Sequence, residues 1–514
     1  MTLSKESSMS LAVVYTRALY GVQAPSVTVE VHISNGLPAL ALVGLPETTV
    51  KEARDRVRSA LLNNGFTFPA KRITVNLAPA DLPKEGGRYD LPIALAILAA
   101  SEQLPVDRLA EYEFLGELAL SGALRAVHGA IPAALAAEQA GRSLILASEN
   151  SGEVGLIPGG RARVAGHLLE ACAFLQGQGN LPPAIAPPAA PVTTHGDLSD
   201  IIGQQQAKRA LEIAAAGGHN LLLLGPPGTG KTMLASRLTS LLPPLTDCEA
   251  LESIAVTSLL HHPACSLPWR QRPFRAPHHS ASMAALVGGG SLPRPGEISM
   301  AHNGVLFLDE LPEFERRVLD ALREPLESGE IVISRASAKV RFPARVQLIA
   351  AMNPSPTGHY QGVHNRTPPQ QILRYLGRLS GPFLDRFDLS IEVPLLPPGM
   401  LSQQRSASES SHQVRARVLL ARERQLRRAG KINALLNNRE VDRDCRLRPE
   451  DASYLEATLI ALGLSVRAWH RILKVARTLA DLMDDDIVTR RHVSEALGYR
   501  CMDRLLMQLH RSLE

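Results

Sequence analysis

The feature that most constrains this chain is an octapeptide of the form G-x-x-x-x-G-K-T, made by Gly225, Pro226, Pro227, Gly228, Thr229, Gly230, Lys231 and Thr232. An apolar run, Leu221–Leu224, precedes it and reads as a buried strand, and residues 233–242 follow with helical spacing. Glycines at these positions let backbone N–H groups wrap around phosphates, and the helix amino terminus adds a favourable dipole. In that context Lys231 is expected to reach the β- and γ-phosphates of ATP, and Thr232 to hold Mg²⁺. The bland alternative is a glycine-rich turn with a lysine facing solvent. A strand–loop–helix unit of this kind reads as part of an α/β domain.

Three further runs extend that domain. Val305–Leu308 is apolar and ends in Asp309-Glu310, placing two carboxylates where α/β sheets bind ligands. Asp309 is expected to complete the Mg²⁺ shell and Glu310 to polarise the attacking water. Alone, such a pair reads equally as surface acids; after a phosphate-binding loop it gains meaning. A third run ends in Asn353, which could orient that water or merely start an Asn-Pro turn. Arg386 stands just before a fourth run, in LDRFD, either as an arginine inserted into a neighbouring subunit's site or as a partner of Asp385 or Asp388. Arg467 opens a helical run, GLSVRAWHRILKVARTLADL, and could reach a γ-phosphate from there; otherwise it is an ordinary surface arginine. The site expected from these residues is therefore catalytic Lys231, Glu310, Asn353, Arg386 and Arg467 around the loop, Thr232 and Asp309.

Length and composition set the frame. At 514 residues the chain has room for two to four domains, and 45% hydrophobic with 20% charged residues is ordinary for a soluble globular protein. Residues 1–175 mix strand-like runs (SVTVEVHI, RITVNLAP) with helical ones (TTVKEARDRVRSALLNNG, DLPIALAILAASEQ). Residues 176–196 are rich in Pro, Gly and Ala and read as a semi-rigid linker. Residues 197–398 alternate strand and helix, and 399–514 are helical and rich in Arg and Leu, as a lid would be. The five cysteines form no C-x-x-C pair, which argues against a disulfide framework or zinc ribbon and fits a reducing compartment. With no apolar leader and no run long enough to span a bilayer, a cytoplasmic protein without a membrane partner is expected.

Taken together, FRAPHHSASMAALVGGGSLPRPGEISMAHNGVLFLDELPEF, REPLESGEIVISRA, AAMNP and LDRFD resemble the magnesium-chelatase-like branch of the AAA+ ATPases, and nearly the whole chain resembles the YifB/ComM family within it. The resemblance implies an AAA+ core with a C-terminal helical lid, and ATP-dependent homo-oligomeric rings, hexamers in this family. It implies a DNA motor, a helicase promoting branch migration during recombination of DNA taken up in natural transformation. It also makes residues 270–297 an insertion within the second helix of the core, and residues 331–341 a hairpin that grips DNA. A protein-remodelling ATPase is the competing class, separated by whether DNA or protein stimulates hydrolysis. Many relatives carry NPCPCG, a metal-binding pattern; this chain has NPSPTG, with Ser355 and Thr357, so no zinc is expected. Chelation of magnesium into a pigment is not expected either, for want of an integrin-like domain.

The N-terminal runs VNLAPADLPKEGGRYDLPIALAILAA and GELALSGALRAVHGAIPAALAAEQAG resemble the Lon protease domain, an α+β fold. Lon chemistry needs a serine activated by a lysine. The serine's place is taken by Arg88, and no lysine occurs between Lys84 and Lys208, so the domain is expected to be proteolytically inactive. Basic residues cluster between Gln413 and Lys431, with Arg415, Arg417, Arg422, Arg424, Arg427 and Arg428. They read as a phosphate-neutralising patch or as a solvated helix face. Arg270, Arg272, Arg275, Arg294, Arg335, Lys339 and Arg341 are further candidates for DNA. Aromatics make up only 4% of the chain, which favours backbone tracking over base stacking. His278-His279 could suggest a metal pair, but adjacent histidines diverge, so a structural or nucleic-acid role is expected.

Overall fold

The computed structural model describes residues 10–44, 48–188, 196–260, 268–290, 293–334, 339–360, 366–400 and 408–513. The chain forms two compact units: one of residues 1–191, 246–270 and 334–342, the other of 192–245, 271–333 and 343–514.

The first unit is built on a seven-stranded mixed sheet in the order Ala39–Val43, Arg72–Ala78, Ser26–Ser34, Ser10–Arg17, Tyr112–Phe114, Ser143–Ala147, Arg163–Ala165. Ser26–Ser34 alternates buried and half-exposed side chains, as its period-two pattern requires. The helix Asp90–Ala100 is buried at every position and apolar after Asp90, which pairs with Arg56, so it shows no polar face. The helical run expected from residue 48 forms as Thr48–Lys51 and Ala53–Asn63, interrupted only at Glu52. Ile254 and Ala255 of the helix Asp247–Thr257 pack with Ile131 and Ala134 in this unit's core.

Arg88, in the place of a nucleophile, is buried and donates to the carbonyl of His128. Lys84 is fully buried, its ammonium bonded to the carbonyls of Gly44 and Pro79. Both cations donate to backbone carbonyls.

The second unit holds a five-stranded parallel sheet in the order Phe274–Arg275, Val305–Leu308, Gln347–Met352, Leu221–Leu224, Leu389–Glu392. Leu221–Leu224 and Val305–Leu308 are wholly apolar and buried at every position, as strands covered on both faces are. Phe274–Arg275 pairs with Val305–Leu306, so these two residues are an edge strand of the core sheet. That corrects the expectation of an insertion reaching from residue 270; any insertion begins after Arg275. C-terminal helices Ser411–Ala429, Asn438–Asp444, Pro449–Ala461, Val466–Met483, Arg490–Gly498 and Cys501–Arg511 complete the unit. Val414, Val418, Ile472 and Leu479 share one core with Leu211 and Leu223, so the helical lid and the sheet are packed as one body. Among the described residues no helix is long and apolar enough to cross a membrane.

Candidate nucleotide site

Four parallel strands of the second unit end at one edge, and the sequence-selected residues begin there. Leu224 of the loop strand stands opposite both Met352 and Glu392, so Gly225 and Asn353 emerge side by side. Gly225 has a packing reason for being glycine: a Cβ would lie 2.3 Å from the carbonyl oxygen of Val393. Gly228 and Gly230 have a conformational one, with φ of +79° and +85° and nothing within 4 Å of a Cβ. Gly230 caps the helix Lys231–Leu241 without any side-chain acceptor, so its first N–H groups face the open loop.

Lys231 is buried, and its ammonium donates to the carbonyls of Gly225 and Pro226, both at 2.7 Å, and to Asn353 Oδ1 at 3.2 Å. Burial pushes its pKa below the ordinary lysine value, against the charge of Asp309. Thr232 Oγ1 donates to Asp309 Oδ2 at 2.7 Å, and the other oxygen of Asp309 accepts from the N–H of Glu310 at 2.8 Å. Glu310 sits in the left-handed region, with φ of +52°, which turns it out of line with the strand. A loop of uncapped N–H groups, a buried ammonium, and a hydroxyl beside a carboxylate suit a polyphosphate with a hard divalent cation.

The structure thus brings together Lys231, Thr232, Asp309 and Asn353, with Glu310 adjoining. It does not bring Arg386 to them, and among the described residues no hydrogen bond or ion pair joins Arg467 to them. Arg386 precedes Leu389, which pairs with Leu221 at the opposite end of the loop strand, and ~10 Å of strand intervenes. Its guanidinium pairs with Glu327, not with Asp385 or Asp388 as sequence suggested. Arg467 is exposed on the first turn of Val466–Met483.

Sequence reasoning expected the rings of His278 and His279 to diverge and did not place His279 beside Glu310; the structure corrects both points. Its Nδ1 lies 3.0 Å from Glu310 Oε2, and the His278 ring lies 4.1 Å from its own, centroid to centroid. The His-His pair was visible in sequence, but nothing local linked it to Glu310.

The basic run 413–431 is largely consumed internally. Arg417 pairs with Glu212 and Glu409, and Arg422 donates to the carbonyl of Ala215. Arg424 pairs with Asp484, Arg427 with Glu423, Arg428 with Asp481, and Lys431 with Glu440. Most cations of this helix therefore have partners within the fold, Arg427 only along its own helix. Arg272 and Arg275 are likewise engaged, with the carbonyls of Pro243 and Asn303 and with Glu297. Arg270 lies 3.5 Å from Asp247. Arg294, Lys339 and Arg341 are exposed, and Arg335 lies outside the described residues. Glu330–Ser334 and Lys339–Pro343 are strands in the run where a hairpin was expected, and residues 335–338 between them lie outside the described residues. Ser355 and Thr357 are tied by hydroxyl bonds, Ser355 to the carbonyl of His359 and Thr357 to Thr367.

Family models agree with this architecture. Residues 197–401 match the model described as magnesium chelatase, subunit ChlI; residues 29–150 match subunit ChlI of Mg-chelatase; residues 408–500 match its C-terminal model. The chain is 66% identical to competence protein ComM of Haemophilus influenzae over 507 residues, 98% of this chain and 99% of that one. It is 64% identical to the uncharacterized protein YifB of Escherichia coli over 505 residues, 98% of this chain and all of that one. Similarity to the magnesium-chelatase 38 kDa subunit of Cereibacter sphaeroides is 29% over 213 residues, 38% of this chain and 58% of that one. With a loop-bearing parallel sheet, a packed helical lid and full-length identity at this level, the chain belongs to the YifB/ComM family of magnesium-chelatase-like AAA+ proteins.

Proposed function

We propose that the protein hydrolyses ATP with Mg²⁺ at the interfaces of a homo-oligomeric ring, a hexamer, and uses the energy to move along DNA and migrate branches. The observation that carries the ATPase reading is the convergence at one end of the sheet of two hydrogen-bonded pairs, Lys231 with Asn353 and Thr232 with Asp309. Thr232 and Asp309 would hold the cation, whose chemistry is to neutralise charge on the β- and γ-phosphates. Lys231 exchanges its loop carbonyls for phosphate oxygens. Glu310 accepts a hydrogen bond from water and orients it, and Asn353 holds that water from the other side. Arg386, held at the far end of the sheet from its own loop, is suited to a neighbour's site, where an arginine adds roughly 10³–10⁵ in rate. Arg467 would contribute from the lid.

The DNA reading draws support from the name of a relative 66% identical, a competence protein. It also draws on the exposed cations Arg294, Lys339 and Arg341. Residues 1–175 serve in this reading as a non-proteolytic domain, joined by 176–196 to the core 197–398 and the lid 399–514. The test is ATP-dependent unwinding of a forked, partly homologous DNA junction, with Lys231→Ala as control. Unwinding by the wild type alone supports the motor. Hydrolysis that proceeds without unwinding, and without stimulation by DNA, overturns it in favour of protein remodelling.

A further inference from the structure

The loop carrying Arg386 is held from two sides, and one of them is the lid. From the core, Asn220 Nδ2 donates to the Arg386 carbonyl at 2.9 Å, while Asn220 Oδ1 accepts from the N–H of Leu348 in the strand that leads to Asn353. The Asn220 carbonyl accepts from the N–H groups of Asp388 and Leu389, both at 3.1 Å. From the lid, Arg471 Nη2 lies 3.2 Å from Asp385 Oδ1, one residue before Arg386. Asp388, two residues after it, lies 3.1 Å from His219 Nδ1, and His219 Nε2 lies 2.7 Å from Thr478 Oγ1. Burial alone would raise the Asp388 pKa, but the His219 bond and the charges of His219, Lys474 and Arg471 hold it below the ordinary carboxylate value.

Arg467, Arg471, Lys474 and Thr478 recur at spacings of four, three and four, which puts them on one face of the helix Val466–Met483. Three of the four act on the loop or on the histidine beneath it, and the fourth is Arg467. Arg471 is nearly buried, and among the described residues its Nη1 has no hydrogen-bond partner, as is also true of Arg386 Nε. Glu327 meanwhile takes the Arg386 guanidinium within its own subunit.

We propose that Arg471 is a positioning residue: through Asp385 it makes the lid helix set the Arg386 loop, so that one rigid helix places Arg386 and Arg467 together. This rests on the reading of Arg386 as an arginine that completes a neighbour's site. Arg471 touches neither nucleotide nor water; it acts through the loop. Displacing a catalytic group by about 1 Å can cost 10²-fold in rate, so Arg471→Ala lowers kcat by roughly that factor while KM for ATP holds.

The experiment uses full-length chains carrying Lys231→Ala, Arg386→Ala or Arg471→Ala, assayed for ATP hydrolysis alone and in equimolar mixtures. A chain with Arg471→Ala keeps its own phosphate loop and lacks only a well-placed arginine for its neighbour. Mixing it with Lys231→Ala chains, which bring an intact arginine, is expected to restore hydrolysis, as it does for Arg386→Ala. If Arg386→Ala alone keeps full kcat, the interfacial reading of Arg386 fails, and this inference with it. If Arg386→Ala is impaired but Arg471→Ala is not, or if mixing rescues Arg386→Ala alone, the inference fails and that reading stands. Should Arg471→Ala not fold, the exchanged pair Arg471→Asp with Asp385→Arg decides: recovery of kcat over Asp385→Arg alone supports the clamp, and no recovery overturns it.

Discussion

Replacing Lys231 with methionine keeps the unbranched stem in its buried slot and removes only the charge and its three hydrogen bonds. Those bonds, to Gly225 O, Pro226 O and Asn353 Oδ1, show the ammonium already poised inside the loop. A hydrogen bond to a charged group is worth about 1.5–3 kcal/mol, and at least one is made to phosphate when nucleotide binds. Losing it weakens ATP binding by roughly 10- to 150-fold in Kd. The acceptors left behind, the Gly225 carbonyl among them buried, cost the free protein about 1–3 kcal/mol. Isothermal titration with MgATP reads the first effect and thermal unfolding the second. A Kd within about threefold of wild type would refute the assignment of Lys231 to the phosphates.

Asp309→Asn keeps an acceptor for Thr232 Oγ1 but removes the charge, so Mg²⁺-dependent phosphate release should fall roughly 10²-fold or more while metal-free nucleotide binding changes little; equal rates across a Mg²⁺ titration would contradict it. Arg428→Ala strips one partner from Asp481, 1% exposed, and should destabilise the lid by about 3 kcal/mol, moderated by Arg477 and Asn433. Unfolding and proteolysis of the lid report it; lost DNA affinity with unchanged melting would mean this cation serves DNA instead. Glu153, buried beside Asn150, is pushed up to about 7 by burial, offset in part by that amide. Its folded pKa exceeds the unfolded one, so the fold is favoured below pH ~4.5 and loses up to roughly 3 kcal/mol as pH rises through 7. Glu153→Gln should therefore raise the melting temperature at pH 8 and leave it nearly unchanged at pH 4.5; equal shifts at both would argue for a packing effect.

Local chemistry made much of this protein legible in its sequence. The phosphate loop, the Asp309-Glu310 pair and Asn353 each follow a short apolar strand, and strand, turn and helix signals are carried by neighbouring residues. The buried helix Asp90–Ala100 and the substitution of Arg88 for a nucleophile were readable for the same reason. Tertiary structure alone decided which charges meet. Composition could not separate a DNA patch from a brace, because an arginine's role depends on whether an acid such as Glu212 or Asp481 is folded against it. Nor could it pair His279 with Glu310, Arg386 with Glu327, or Arg471 with Asp385. Each pair joins separate elements of the chain, and such contacts come from the register of the sheet and the packing of the lid helix, which no window of neighbouring residues encodes.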